Sequence, residues 1–126
     1  MPEPAAPAVF SYTIPAPAGF TKADTGDPNI YTWTKQRPGR AVKSEYTVTL
    51  KKAGPFPERY LPNAATMEAG NLVFRQTRTT AAQFSRTVIF TCQDNGCLIT
   101  ISATADLSDS DAMTAMTNAA KKIAAK

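Results

Sequence analysis

The chain has 126 residues, 43% of them hydrophobic and 19% charged, with a formal net charge of +4 and no histidine. That length suits one domain burying about two-thirds of its unfolded surface, and the composition belongs to a folded chain rather than a disordered one. No apolar run approaches the roughly 18 residues of a membrane-spanning helix, no basic run longer than Lys51-Lys52 or Lys121-Lys122 calls for nucleic acid, and the missing histidine removes the commonest general base and metal ligand.

Residues 1–8 form a linker rich in proline and alanine. They lack the basic region and apolar core of a signal peptide, so we expect an export signal or lipid-anchor segment ahead of them in the native gene, with Met1 an added start. Residues 9–126 then make a single domain. A first strand covers 9–14, with Phe10, Tyr12 and Ile14 on one face, and the prolines at 15 and 17 end it. Residues 21–29 read as a polar loop. A second strand covers 30–35, and Pro38-Gly39 turns the chain back. The third, 41–52, is the clearest alternation in the chain: Val42, Tyr46, Val48 and Leu50 point inward, while Lys43, Glu45, Thr47, Thr49 and Lys51 point to water.

Prolines at 55, 57 and 62 make 53–62 a loop, and a short helix follows over 63–69, capped by Asn63 and stopped by Gly70. The fourth strand covers 72–80, with Arg75 and Arg78 on opposite faces if the alternation holds. Residues 83–105 carry the strongest hairpin signal, two β-rich runs around an Asn95-Gly96 turn. A four-residue turn, 93–96, sets Cys92 directly opposite Cys97, both on the apolar face with Phe90, Ile99 and Ile101. A zinc site needs about four ligands and redox catalysis favours Cys-x-x-Cys, so a cross-strand disulfide is the expected state. It closes a tiny loop and contributes at or below the low end of roughly 2–4 kcal/mol. Such a bond implies an oxidising compartment, periplasmic or outside the cell. The last element is a helix over 109–125, capped by Ser108, with a stripe of Met113, Met116, Ala120 and Ile123 laid across the sheet.

The fold class that follows is α+β: a twisted antiparallel sheet of about six strands covered by a C-terminal helix, with a β-sandwich closed by a terminal helix as the alternative. The opening Tyr12-Thr13-Ile14-Pro15-Ala16-Pro17-Ala18-Gly19-Phe20 resembles the entry of PsbP-like domains. The ending is similar too: paired strands over 87–91 and 98–103 run through Ala105-Asp106-Leu107-Ser108-Asp109 into a terminal amphipathic helix. The resemblance spans about residues 10–123. It implies an α-β-α sandwich and non-enzymatic relatives: assembly factors, photosynthetic subunits, effector chaperones and small envelope lipoproteins. Two features depart from that pattern, the cysteine pair and the proline-broken stretch 52–70. No functional residue of the family carries over.

Chemistry is sparse. Asp106, Asp109 and Asp111 lack the glycine and distal glutamate of a calcium loop and suit a helix start. We therefore expect no catalysis, no metal and no cofactor. The expected function is that of an exported protein, periplasmic or secreted or tethered to the membrane as a lipoprotein, that binds a protein partner, such as an immunity or inhibitor protein or an envelope assembly subunit. Tyr31, Trp33, Arg37 and Arg40 have the composition of interface anchors and equally that of core aromatics beside a solvated turn; with Phe56, Arg59 and Tyr60 of the proline-rich loop they are the candidate partner-binding residues. The alternatives are a small-ligand carrier with an apolar pocket lined by Met113 and Met116, and an enzyme without a recognisable motif.

Overall fold

Period-two alternation builds most of this protein. The computed structural model describes residues 12–27, 29–36, 38–39, 42–52, 66–70, 72–94 and 96–125, with the backbone alone at Thr77, Arg78 and Ala125. In β4 (Ser44–Lys52), Ser44, Tyr46, Val48 and Leu50 are buried. In β8 (Cys97–Asp106), Cys97, Ile99, Ile101, Ala103 and Ala105 are buried on the same side. The two strands pair so that Tyr46 meets Ala103, Val48 meets Ile101 and Leu50 meets Ile99. Cross-strand apolar pairs of this kind are the unit of sheet stabilisation.

Five more strands flank this centre: β2 (Thr21–Ala23), β3 (Ile30–Lys35), β5 (Thr66–Ala69), β6 (Leu72–Ala81) and β7 (Ser85–Asp94). Together they form a seven-stranded sheet in the order β2-β3-β4-β8-β7-β6-β5, antiparallel at every pairing. Two meanders, β2 to β4 and β5 to β8, are joined by the β4–β8 ladder. A separate ribbon pairs β1 (Tyr12–Thr13) with β9 (Ala124–Ala125). This is α+β architecture with a C-terminal helix, as the patterning implies.

The helix, α1 (Ser110–Ala120), lies over β8 and β4. Its buried residues are Ala112, Met116, Ala119 and Ala120. Three of the four are alanines, which bring the helix backbone close to the sheet. Asp109, not Ser108, is the cap: its Oδ1 accepts from the Ala112 backbone N–H at 3.2 Å. That satisfies one of the orphan donors of the first turn.

The opposite face of the sheet is rich in threonine. The ladders align Thr49 with Thr100 and Thr91, and Thr32 with Thr47 and Ser102. Two cross-strand hydroxyl pairs bond to each other, Thr32 with Thr47 at 3.2 Å and Thr87 with Thr104 at 2.8 Å. Among the described residues the one α-helix lies on the other face, and no helix is long and apolar enough to cross a membrane.

Several expectations need correction. Residues 21–23 form an edge strand inside what reads as a polar loop. Residues 66–69 are a strand, not the end of a helix, because Met67 and Ala69 pair with Phe74 and Leu72 and are buried with them. Tertiary pairing there overrides a weak local helix signal. A bulge between Gln76 and Arg78 breaks the alternation that set Arg75 and Arg78 on opposite faces. The expected first strand, 9–14, falls partly outside the described residues.

Candidate functional site

Of the expected partner surface the structure describes Tyr31 and Trp33, and both belong to the core side of the sheet. Trp33 is 5% exposed, its ring tilted against Tyr46 with centroids 5.7 Å apart. Tyr31 is half-buried and stacks on Trp33 at 6.1 Å, with the Lys22 ammonium 5.5 Å from its own ring centroid. Both aromatics sit on the core face of β3, opposite Val48 and Tyr46. Their aromatic pairing is packing, and Trp33 is not available as an exposed anchor. Arg37, Arg40, Phe56, Arg59 and Tyr60 lie outside the described residues.

The cysteines also stand differently. The turn has two residues, not four, because Asp94 pairs with Cys97. Gly96 takes φ 77°, the left-handed conformation that a two-residue Asn-Gly turn demands and glycine adopts without strain. Cys92 therefore faces Ile99, and Cys97 faces Asp94. Diagonal neighbours of this kind lie about 7–8 Å apart, beyond the roughly 4.4–6.8 Å that a disulfide spans. Both thiols are free and buried. Burial pushes both thiol pKa values up, the opposite of an activated nucleophile. The argument for an oxidising compartment rested on that bond and lapses with it.

The aspartates are structural. Asp106 is 8% exposed. Its Oδ1 accepts from the Ser108 backbone N–H at 2.9 Å and the Ser108 hydroxyl at 2.6 Å, and its Oδ2 accepts from the Val42 N–H at 3.2 Å. Asp106 thereby staples the chain before β4 to the corner that starts α1. Among the described residues no group of acidic, cysteine or histidine side chains is arranged to hold a metal ion.

What the fold does assemble is a cavity. Because α1 lies over β8 and β4, the core face toward β7, β6 and β5 is left with space beside the helix. The cavity there has a volume of about 650 Å³. Val88, Phe90, Ile101 and Ala103 make its floor, and Met113, Met116, Thr117 and Ala120 make the helix wall. Met67, Gln76 and Glu68 line the far side, and Arg86 and Lys121 stand at its margin. A smaller cavity of about 400 Å³ continues along the helix and shares Arg86, Met113, Thr117 and Lys121 with the first. Phe90 and Met113 pack on the core yet stay partly exposed.

Tyr46 lines the larger cavity and carries the anomaly of the core. It is fully buried, and its hydroxyl has no hydrogen-bond partner among the described residues. Desolvation drives its pKa well above the usual phenol range. An unpaired buried hydroxyl costs about 1–3 kcal/mol, and orphaned groups of this kind concentrate at functional sites. The methionine stripe at 113 and 116 signals this place in the sequence. Tyr46 reads there as ordinary core, and Arg86 as a charged residue on an apolar face.

Compared with protein-family models, curated proteins and solved structures, the chain finds no match in any of the three.

Proposed function

We propose that this protein is a small-molecule binder, a carrier that holds an apolar or amphipathic ligand between α1 and the β7 side of the sheet. The observation that carries this reading is the cavity of about 650 Å³ beside the helix, floored by Val88, Phe90, Ile101 and Ala103. Ligand pockets are typically about 300–1,000 Å³, mostly apolar, with a few polar groups at the margin. The resemblance to PsbP-like domains, read from residues 12–20 and from the strand-to-helix ending, adds no residue to this site.

The test uses the neutral fluorescent probe N-phenyl-1-naphthylamine. Wild type should bind it saturably with enhanced emission. Thr117→Trp projects a large side chain into both cavities from the half-buried helix flank and should weaken binding by roughly tenfold or more. Thr117→Phe is the milder second variant, and thermal melts establish that each variant is folded. Absence of saturable enhancement in wild type, or equal enhancement in a folded filled variant, overturns the proposal.

A second reading, a protein binder of the cell envelope, is favoured by one observation. Phe84 and Leu107 are 54% and 55% exposed and sit side by side, with the Leu107 N–H donating to the Phe84 carbonyl at 2.9 Å. Adjacent exposed hydrophobics of this size are interface material. A pull-down from envelope extract should recover a partner with wild type and lose it with Phe84→Ser/Leu107→Ser. Equal recovery removes this surface from consideration.

A further inference from the structure

We infer that the ligand of this cavity is an amphipathic anion, a molecule with one carboxylate head and an apolar body, whose head is held between Arg86 and Lys121. The inference rests on the small-molecule reading above and names its ligand class. Arg86 and Lys121 come from different elements, β7 and the residue that follows α1, yet both line both cavities. They therefore flank the place where the two cavities meet. Arg86 has the parity of Val88 and Phe90, pairing with Ala105, so its stem starts on the core face of the sheet. An arginine on that face with its head exposed is explained by what lies in front of it.

Among the described residues, no ion pair or hydrogen bond of the Arg86 or Lys121 side chain is found. Asp106 and Asp109 line the smaller cavity only, where Asp106 accepts from Ser108 and Val42 and Asp109 caps α1. Glu68 lines the larger cavity but not the smaller one, so it stands apart from the junction that Arg86 and Lys121 share. The lining that the two cavities share, Arg86, Met113, Thr117 and Lys121, holds two cations and no carboxylate, and the floor beyond it is apolar. That combination complements an anionic head on an apolar tail. A guanidinium and an ammonium together supply several donors for a carboxylate, and charge-assisted hydrogen bonds of this type are the stronger kind.

The experiment displaces N-phenyl-1-naphthylamine with three ligands of one chain length: decanoate, 1-decanol and decyltrimethylammonium. Decanoate should displace the probe at roughly tenfold lower concentration than 1-decanol, and the cationic amphiphile should be the weakest of the three. The double variant Arg86→Gln/Lys121→Gln should bind 1-decanol as wild type does and lose the preference for decanoate. Equal competition by decanoate and 1-decanol in wild type, or a preference that survives in the double variant, overturns the inference while leaving the carrier reading in place. Failure of the probe and all three ligands to bind overturns both.

Discussion

The Tyr12 hydroxyl donates to Asp94 Oδ2 at 2.6 Å and lies 3.2 Å from the Asp94 backbone carbonyl. These residues are 82 positions apart. The bond ties the β1–β9 ribbon to the tip of the β7–β8 hairpin, so both ends of the described chain are fastened to the centre of the sheet. Tyr12 is 8% exposed, and burial together with its bond to Asp94 holds its pKa well above the usual phenol range. Tyr12→Phe should destabilise the protein by about 1–3 kcal/mol, the worth of a hydrogen bond to a charged acceptor. Urea denaturation measures this, and an unchanged midpoint contradicts it.

Tyr46 should behave in the opposite way. Its hydroxyl is buried without a partner among the described residues, so Tyr46→Phe removes a desolvated polar group and loses no hydrogen bond. The variant should match wild type or exceed it, by up to about 1–3 kcal/mol. The pH dependence carries the same information. Both phenols have folded pKa values raised above the unfolded value of about 10. Above that pH the unfolded chain binds fewer protons than the folded one, so stability falls as pH rises. The contribution is complete below about pH 10 and is lost above it. Denaturation midpoints followed upward from pH 9 should fall less steeply for Tyr46→Phe than for wild type; parallel curves contradict the raised pKa.

The cysteine state is settled by counting thiols. Free, buried thiols at diagonal positions should give two equivalents with Ellman's reagent in denatured, unreduced protein, and almost no reaction in the folded state at pH 8. A thiol count near zero after denaturation would restore the disulfide and, with it, the case for an oxidising compartment.

Asp106→Ala removes three hydrogen bonds, from Ser108 N, Ser108 Oγ and Val42 N. The carboxylate is buried but Ser108 is exposed and Val42 half-buried, so water takes up part of the lost bonding. A loss of about 1–3 kcal/mol is expected, the worth of hydrogen bonds to a charged group. Asp111→Ala on the exposed first turn of α1 should cost under about 1 kcal/mol. Equal losses in the two variants contradict the staple role of Asp106.

The sequence carried the sheet well wherever one face is packed and the other wet. β4 and β8 show that pattern, and Met116 and Ala120 of the expected stripe turn to the core, although the helix ends at Ala120 rather than 125 and Ile123 is buried beyond it, ahead of β9. Short edge strands were invisible, since residues 21–23 and 66–69 owe their extended form to pairing with β3 and β6 rather than to their own composition. Turn length decides the cysteine pairing: a two-residue loop keeps both on one face yet moves the partner of Cys92 two residues along, from Cys97 to Ile99. The alternation of Trp33 with threonines fits either face, and pairing with Tyr46 of β4 puts it on the core side. The site itself was half legible. Met113 and Met116 mark the helix wall, but the meeting of Arg86 with Lys121 depends on tertiary placement that no local pattern records.

Methionine methyl NMR tests the central claim most directly. Met67, Met113 and Met116 line the cavity from two sides. In protein labelled with carbon-13 at the methionine methyls, titration with decanoate should move all three signals along one saturable curve. If the three signals stay in place while decanoate binds elsewhere, or if neither decanoate nor N-phenyl-1-naphthylamine binds, the cavity beside α1 is not a ligand site.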